Sequence, residues 1–131
     1  PTTPALPLLY AAEVQVARVA AEGLEARWTR HAEMRAAMTA WVDAVRADGI
    51  DLRIVAPEGA RGAGVTACVV PDGSDAVALV RGVAGAGWTL GEGDGPRRTA
   101  TFRVGHLGEH SVATLHPCLD VIRTALDDLM G

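Results

Sequence analysis

Arg103 stands alone between Phe102 and Val104 in the stretch 99–106, TATFRVGH. The stretch reads as a strand. Successive strand side chains point to opposite faces, so if Phe102 and Val104 enter a core, Arg103 lies on the other side of the sheet. A guanidinium is a planar fork that matches a carboxylate with two parallel hydrogen bonds. Arg103 is therefore a candidate carboxylate-binding residue, and the plainer reading is a solvent-facing strand arginine. Just before it runs Gly91-Glu92-Gly93-Asp94-Gly95-Pro96. Glycines let backbone approach a ligand closely and can form an anion nest. Glu92 and Asp94 would repel a phosphate, however, and no helix follows directly, so neither a dinucleotide nor a P-loop context is met. A flexible strand connection is the plainer reading.

The other chemistry-bearing residues are sparse. His106 and His110 are four apart, but Leu107-Gly108-Glu109 between them is not helical, so no metal site is expected. His31 falls on an apolar helix stripe and reads as a core or boundary histidine. No serine sits in an elbow motif. Cys68 and Cys118 are far apart and show no metal or CxxC spacing, which fits two buried thiols in a cytosolic protein. All 12 basic residues counted as Lys+Arg are arginine. Without a lysine the chain has no side-chain amine for Schiff-base chemistry and no P-loop lysine.

These residues must be positioned by a fold of ordinary domain size. The chain has 131 residues, 49% of them apolar and only 4% aromatic, with a formal charge of −4. It can bury a core built from many small aliphatic contacts. Its charges are dispersed, which argues against nucleic acid or an anionic membrane surface as partner. No apolar run approaches a membrane span and no signal peptide is read. A start at Pro1 is what a processed chain or a piece of something longer would show.

Residues 1–9, with three prolines, are expected to form an extended docking arm. Residues 10–48 form a helical segment, with a long helix from Leu24 whose stripe is Leu24, Trp28, His31, Met34, Met38, Trp41 and Val45. Gly49 ends it. Residues 49–131 form an α+β sandwich: strands at 50–56 and 65–70, a helix over 75–86 capped by Ser74, a short strand or loop at 87–93, a strand at 99–106 and a helix over 114–130. Pro117 is placed in the first turn of that last helix, where proline is tolerated. The fold class expected is α+β, a small mostly antiparallel sheet with helices on one face and a long N-terminal helix before it, all one domain.

Three separated segments resemble one family. TPALPLLYAAEVQVARVAAEGLEARWTRHAEM, VTACVVPDGSDAVALV and FRVGHLG are similar, in this order, to segments near the C-terminus of class V, fold-type I pyridoxal-phosphate aminotransferases of the alanine/serine–glyoxylate kind. The resemblance implies that Arg103 grips the substrate α-carboxylate. It implies that Thr3 belongs to an arm reaching the cofactor phosphate of a neighbouring subunit in a dimer. It places Gly91, Gly93 and Gly95 in a loop at the active-site mouth, and gives His106 and Gly108 a role in shaping the strand end. The family's Schiff-base lysine and its pyridine-pairing aspartate lie upstream of the matched region. The chain is therefore expected to be the C-terminal small domain, or the small subunit, of a cytoplasmic transaminase acting between an amino acid and a 2-oxo acid such as glyoxylate or pyruvate. Pyridoxal 5′-phosphate would be held only in an assembly with a lysine-bearing large domain or subunit, as a homodimer or heteromer. The alternative is a non-catalytic binding or regulatory module derived from this domain.

Overall fold

Helical periodicity gives way to alternation near residue 50, and the structure follows. A computed structural model describes residues 4–131. Its elements run α1 (Leu6–Glu22), α2 (Leu24–Ala47), β1 (Arg53–Ile54), β2 (Val65–Val69), α3 (Ala76–Gly85), β3 (Gly91–Glu92), β4 (Thr101–Gly105) and α4 (Val112–Met130). The four strands form one antiparallel sheet in the order β1-β2-β4-β3. This is the α+β architecture expected. Among the described residues no helix is long and apolar enough to cross a membrane.

The chain divides into a unit ending at Arg30 and a unit from His31 to Gly131. The break falls inside α2. In the first unit, α1 buries none of its residues. It begins at Leu6, so the extended arm expected over 1–9 is corrected: within the described residues it reaches no further than Ala5. Proline is accommodated in the first turn of a helix because the first amides have no intrahelical acceptor, and Pro7 takes such a place. Glu22 accepts hydrogen bonds from Arg30 Nε (2.7 Å) and Arg27 Nη1 (2.8 Å). These bonds, Arg30's first, hold its carboxyl down at about 2.

The second unit holds the core. Met34, Met38, Val42 and Val45 of α2 enter one apolar cluster with Phe102 and Val104 of β4, Leu79 and Val83 of α3, and Leu115, Leu119, Ile122 and Leu126 of α4. Burying side chains of this size contributes about 1.5–3 kcal/mol each before entropy is counted. Val42, not Trp41, carries the stripe through the middle of α2; Trp41 is partly buried and Trp28 is exposed. Gly49 (φ +96°) follows α2 in the left-handed region that glycine tolerates.

Local chemistry corrects three further boundaries. Strand β1 is two residues long: its ladder pairs Arg53 with Val69 and Ile54 with Cys68, and after one more bond, Val55 N to Ala67 O at 2.9 Å, the chain turns away. The N-cap of α3 is Asp75, whose carboxylate accepts from Val77 N at 2.9 Å, and not Ser74. Helix α4 starts at Val112 under a capping box of Ser111 and Thr114, which leaves Pro117 inside the helix and beyond its first turn.

Candidate functional site

Strand β4 alternates as its sequence demands. Phe102 and Val104 are fully buried on the core face, and Arg103 is exposed on the other. The register sets its neighbours: Ala67 of β2 lies opposite on one side and Gly91 of β3 on the other. Both are small. Arg103 therefore leans over β3, where its Nε donates to the carbonyl of Glu92 at 2.9 Å. A Cβ on Gly91 would stand 3.2 Å from both Cβ and Nε of Arg103. The missing side chain is what lets the arginine lie down. Its two terminal nitrogens have no protein partner among the described residues. The result is a fork anchored at its base and open at its tips.

Next along the loop, Gly93 donates its N–H to Thr101 O at 2.9 Å. A Cβ there would collide with Thr101 Oγ1 and come within 2.6 Å of Arg97 O and 2.7 Å of Thr101 O. Thr101 Oγ1 in turn donates to Arg97 O at 2.9 Å. The loop is thus stitched down onto the start of β4. Its two carboxylates do not confront Arg103. Glu92 pairs with Phe102 and so points to the opposite face, where it accepts from Arg98 Nε at 2.6 Å. That bond holds its carboxyl below the usual range. Asp94 accepts from Gly95 N at 2.9 Å and starts a 3₁₀ turn over Gly95–Arg97. The acidic residues that suggested anion repulsion are already engaged within the loop.

His106 ends the strand on the core side. It is fully buried, its Nε2 lies 2.8 Å from Thr66 Oγ1, and its backbone N–H donates to Gly64 O at 2.8 Å. Burial pushes its pKa down. His110 is exposed, 3.3 Å from Thr114 Oγ1 through Nδ1, so the two histidines do not converge. Among the described residues no group of three or more His, Cys, Asp or Glu gathers as a metal site would need. Burial raises the thiol of Cys68 to about 12 and also raises that of Cys118, so neither is an activated nucleophile.

The structure thus joins Arg103 to Gly91 and places Gly93 one step further along the same loop. Gly95, at φ +52°, has open space where a side chain would be and serves the turn. Thr3 lies outside the described residues. Sequence reasoning missed Ala67 and Thr101, because cross-strand neighbours leave no local signal.

A four-stranded antiparallel sheet in the order β1-β2-β4-β3 with its helices is the class of fold: the chain is similar to part of the aminotransferases of known structure, as its motifs suggested. Pyridoxamine–pyruvate aminotransferase from Mesorhizobium loti matches 99% of this chain over 33% of its own length, at 26% identity and TM-score 0.87. Alanine–glyoxylate aminotransferase from Nostoc sp. matches 99% over 33% of its length, at 23% identity and TM-score 0.74. Ureidoglycine–glyoxylate aminotransferase from Bacillus subtilis matches 88% over 28% of its length, at 24% identity and TM-score 0.70. The chain spans about a third of the length of these structures. No protein-family model and no curated protein matches it.

Proposed function

We propose that this chain is the small domain, or a separate small subunit, of a class V pyridoxal-phosphate aminotransferase. Its part is to grip the carboxylate of the amino donor and of the 2-oxo acceptor. The observation that carries this reading is Arg103, whose base is fixed on the Glu92 carbonyl while its terminal nitrogens stay open on an exposed face. A pre-set guanidinium loses less freedom on closing over a carboxylate and enforces a planar, bidentate approach. Orientation of that kind, rather than proton transfer, is what the residues of this chain can contribute.

The residues present do not by themselves fit the cofactor. There is no lysine anywhere in the chain to bond it. The lysine and the bulk of the cofactor site come from a large domain or partner subunit, in a homodimer or a heteromer, and Thr3 of the N-terminal arm is proposed to reach the cofactor phosphate. Gly91, Gly93 and Gly95 form the rim beside Arg103. The buried free thiols of Cys68 and Cys118 fit a reducing, cytoplasmic setting.

Mixing the chain with a lysine-bearing large-domain polypeptide is expected to produce a visible cofactor absorbance band and transaminase activity. In that assembly Arg103→Ala raises KM for both the amino acid and the oxo acid. Unchanged kinetics in Arg103→Ala would remove the assigned role. Failure of every such polypeptide to associate would favour a non-catalytic module.

A further inference from the structure

We propose that the open sheet face carries a second anion site beside Arg103, formed by Arg53 and Arg97, for a small organic dianion with an apolar body. Arg53 pairs with Val69, and Val69 pairs with Thr101, in one row across β1, β2 and β4. Val69 lies two residues from Ala67 and Thr101 two from Arg103. The row therefore shares its face with Arg103 and is offset from it by one pleat repeat. A cavity of about 370 Å³ opens along this row, with Arg53, Val55, Val69, Arg97 and Thr101 among its lining residues. That volume lies within the range of small-ligand sites.

The lining is chemically one-sided. It contains two guanidinium groups and no carboxylate. The side chain of Arg97 has no partner among the described residues. Arg53 meets only Asp51, Nε to Oδ1 at 3.6 Å, beyond hydrogen-bond reach and with both side chains half exposed. Such a pair holds its arginine weakly. Two cations without firm counter-charges, in a chain of net −4, favour a ligand with two negative charges, and a carboxylate fits the guanidinium fork. Val55 and Val69 supply an apolar flank, which favours an organic body over a bare ion. Arg97 and Thr101, joined by the 2.9 Å bond from Thr101 Oγ1 to Arg97 O, both line the cavity. This goes beyond the role of Arg103 and does not depend on it.

The test is titration of the 131-residue chain with glutarate and, separately, butyrate, followed at the arginine Nε–H resonances. Glutarate is expected to saturate the Arg53 and Arg97 signals and to bind at least about tenfold tighter than butyrate. Arg53→Gln and Arg97→Gln are each expected to weaken glutarate at the Arg53 and Arg97 signals at least about tenfold, while Arg46→Gln, outside the cavity lining, leaves it unchanged. Melting temperatures check that the variants, all at exposed positions, remain folded. Equal binding of the two acids, or glutarate binding indifferent to both substitutions, would overturn the proposal. Movement of the Arg103 signal alone, lost in Arg103→Gln, would overturn it too while leaving the substrate clamp standing.

Discussion

Gly91→Ala separates the positioning of Arg103 from the stability of the sheet. The added Cβ meets Arg103 Cβ and Nε at 3.2 Å and Cζ at 3.7 Å. The guanidinium must lift, and the 2.9 Å bond from Nε to Glu92 O is lost. A hydrogen bond of this kind contributes about 0.5–1.5 kcal/mol net. Alanine in a strand recovers about 0.5–1 kcal/mol over glycine by restricting the unfolded chain. The two nearly cancel, so the unfolding free energy moves by less than ~1 kcal/mol. Carboxylate binding has no such compensation. The freed arginine must be immobilised again, at about 0.5–1.5 kcal/mol, and with 1.4 kcal/mol equal to tenfold the affinity falls roughly fivefold. Urea unfolding measures the first quantity. Acetate titration followed at the Arg103 Nε–H resonance measures the second. Unchanged acetate affinity would refute the reasoning, and so would a stability loss above ~2 kcal/mol, which would make Gly91 a folding residue.

The neighbouring Gly93→Ala meets two backbone carbonyls as well as Thr101 Oγ1, so moving one side chain does not relieve it; it is expected to cost about 1–3 kcal/mol, read as a lower urea midpoint with unchanged slope. Pro117→Ala on the exposed side of α4 restores a helical N–H and removes the ring from the helix interior; it is expected to raise the melting temperature, proline there costing up to about 3 kcal/mol. His106 stays neutral in the fold below its ordinary value of 6.5, while the unfolded chain takes up a proton. Its contribution is therefore complete above about 6.5 and is lost as pH falls toward the lowered folded value. Unfolding free energies from pH 7 to 5 should decline more steeply in the native chain than in His106→Asn; parallel curves would count against it.

Periodicity made α2, β2, β4 and the helix at 112–130 legible, because each buries one face and burial imposes a repeat. Arg103 was legible as the outward residue of β4 for the same reason. What stayed hidden depended on partners distant in sequence. β1 shrank to two residues because its ladder with β2 runs out beyond Ile54, save for one bond from Val55, and no property of residues 50–56 reveals that. Asp75 and Ser74 are equally good caps by type, and the backbone at residue 75 decides between them. Pro117 looked like a first-turn proline because Ser111 was not recognised as the cap. The resting place of Arg103 on Gly91, with Glu92 turned to the opposite face, exists only in the cross-strand register, so the loop's acidity looked more hostile to anions than its geometry makes it.

The two flanks of Arg103 also differ in when they can form. Gly91 and Arg103 belong to neighbouring strands joined by a short loop, whereas Ala67 reaches Arg103 only after α3 and β3 have intervened. Short loops close in about 10–100 ns, while pairings distant in sequence slow folding. The arginine can settle on its carbonyl within a local hairpin before β2 arrives. Docking of β2 then adds the Ala67 flank and completes the face, so assembly of the site coincides with closure of the sheet's longest-range pairing.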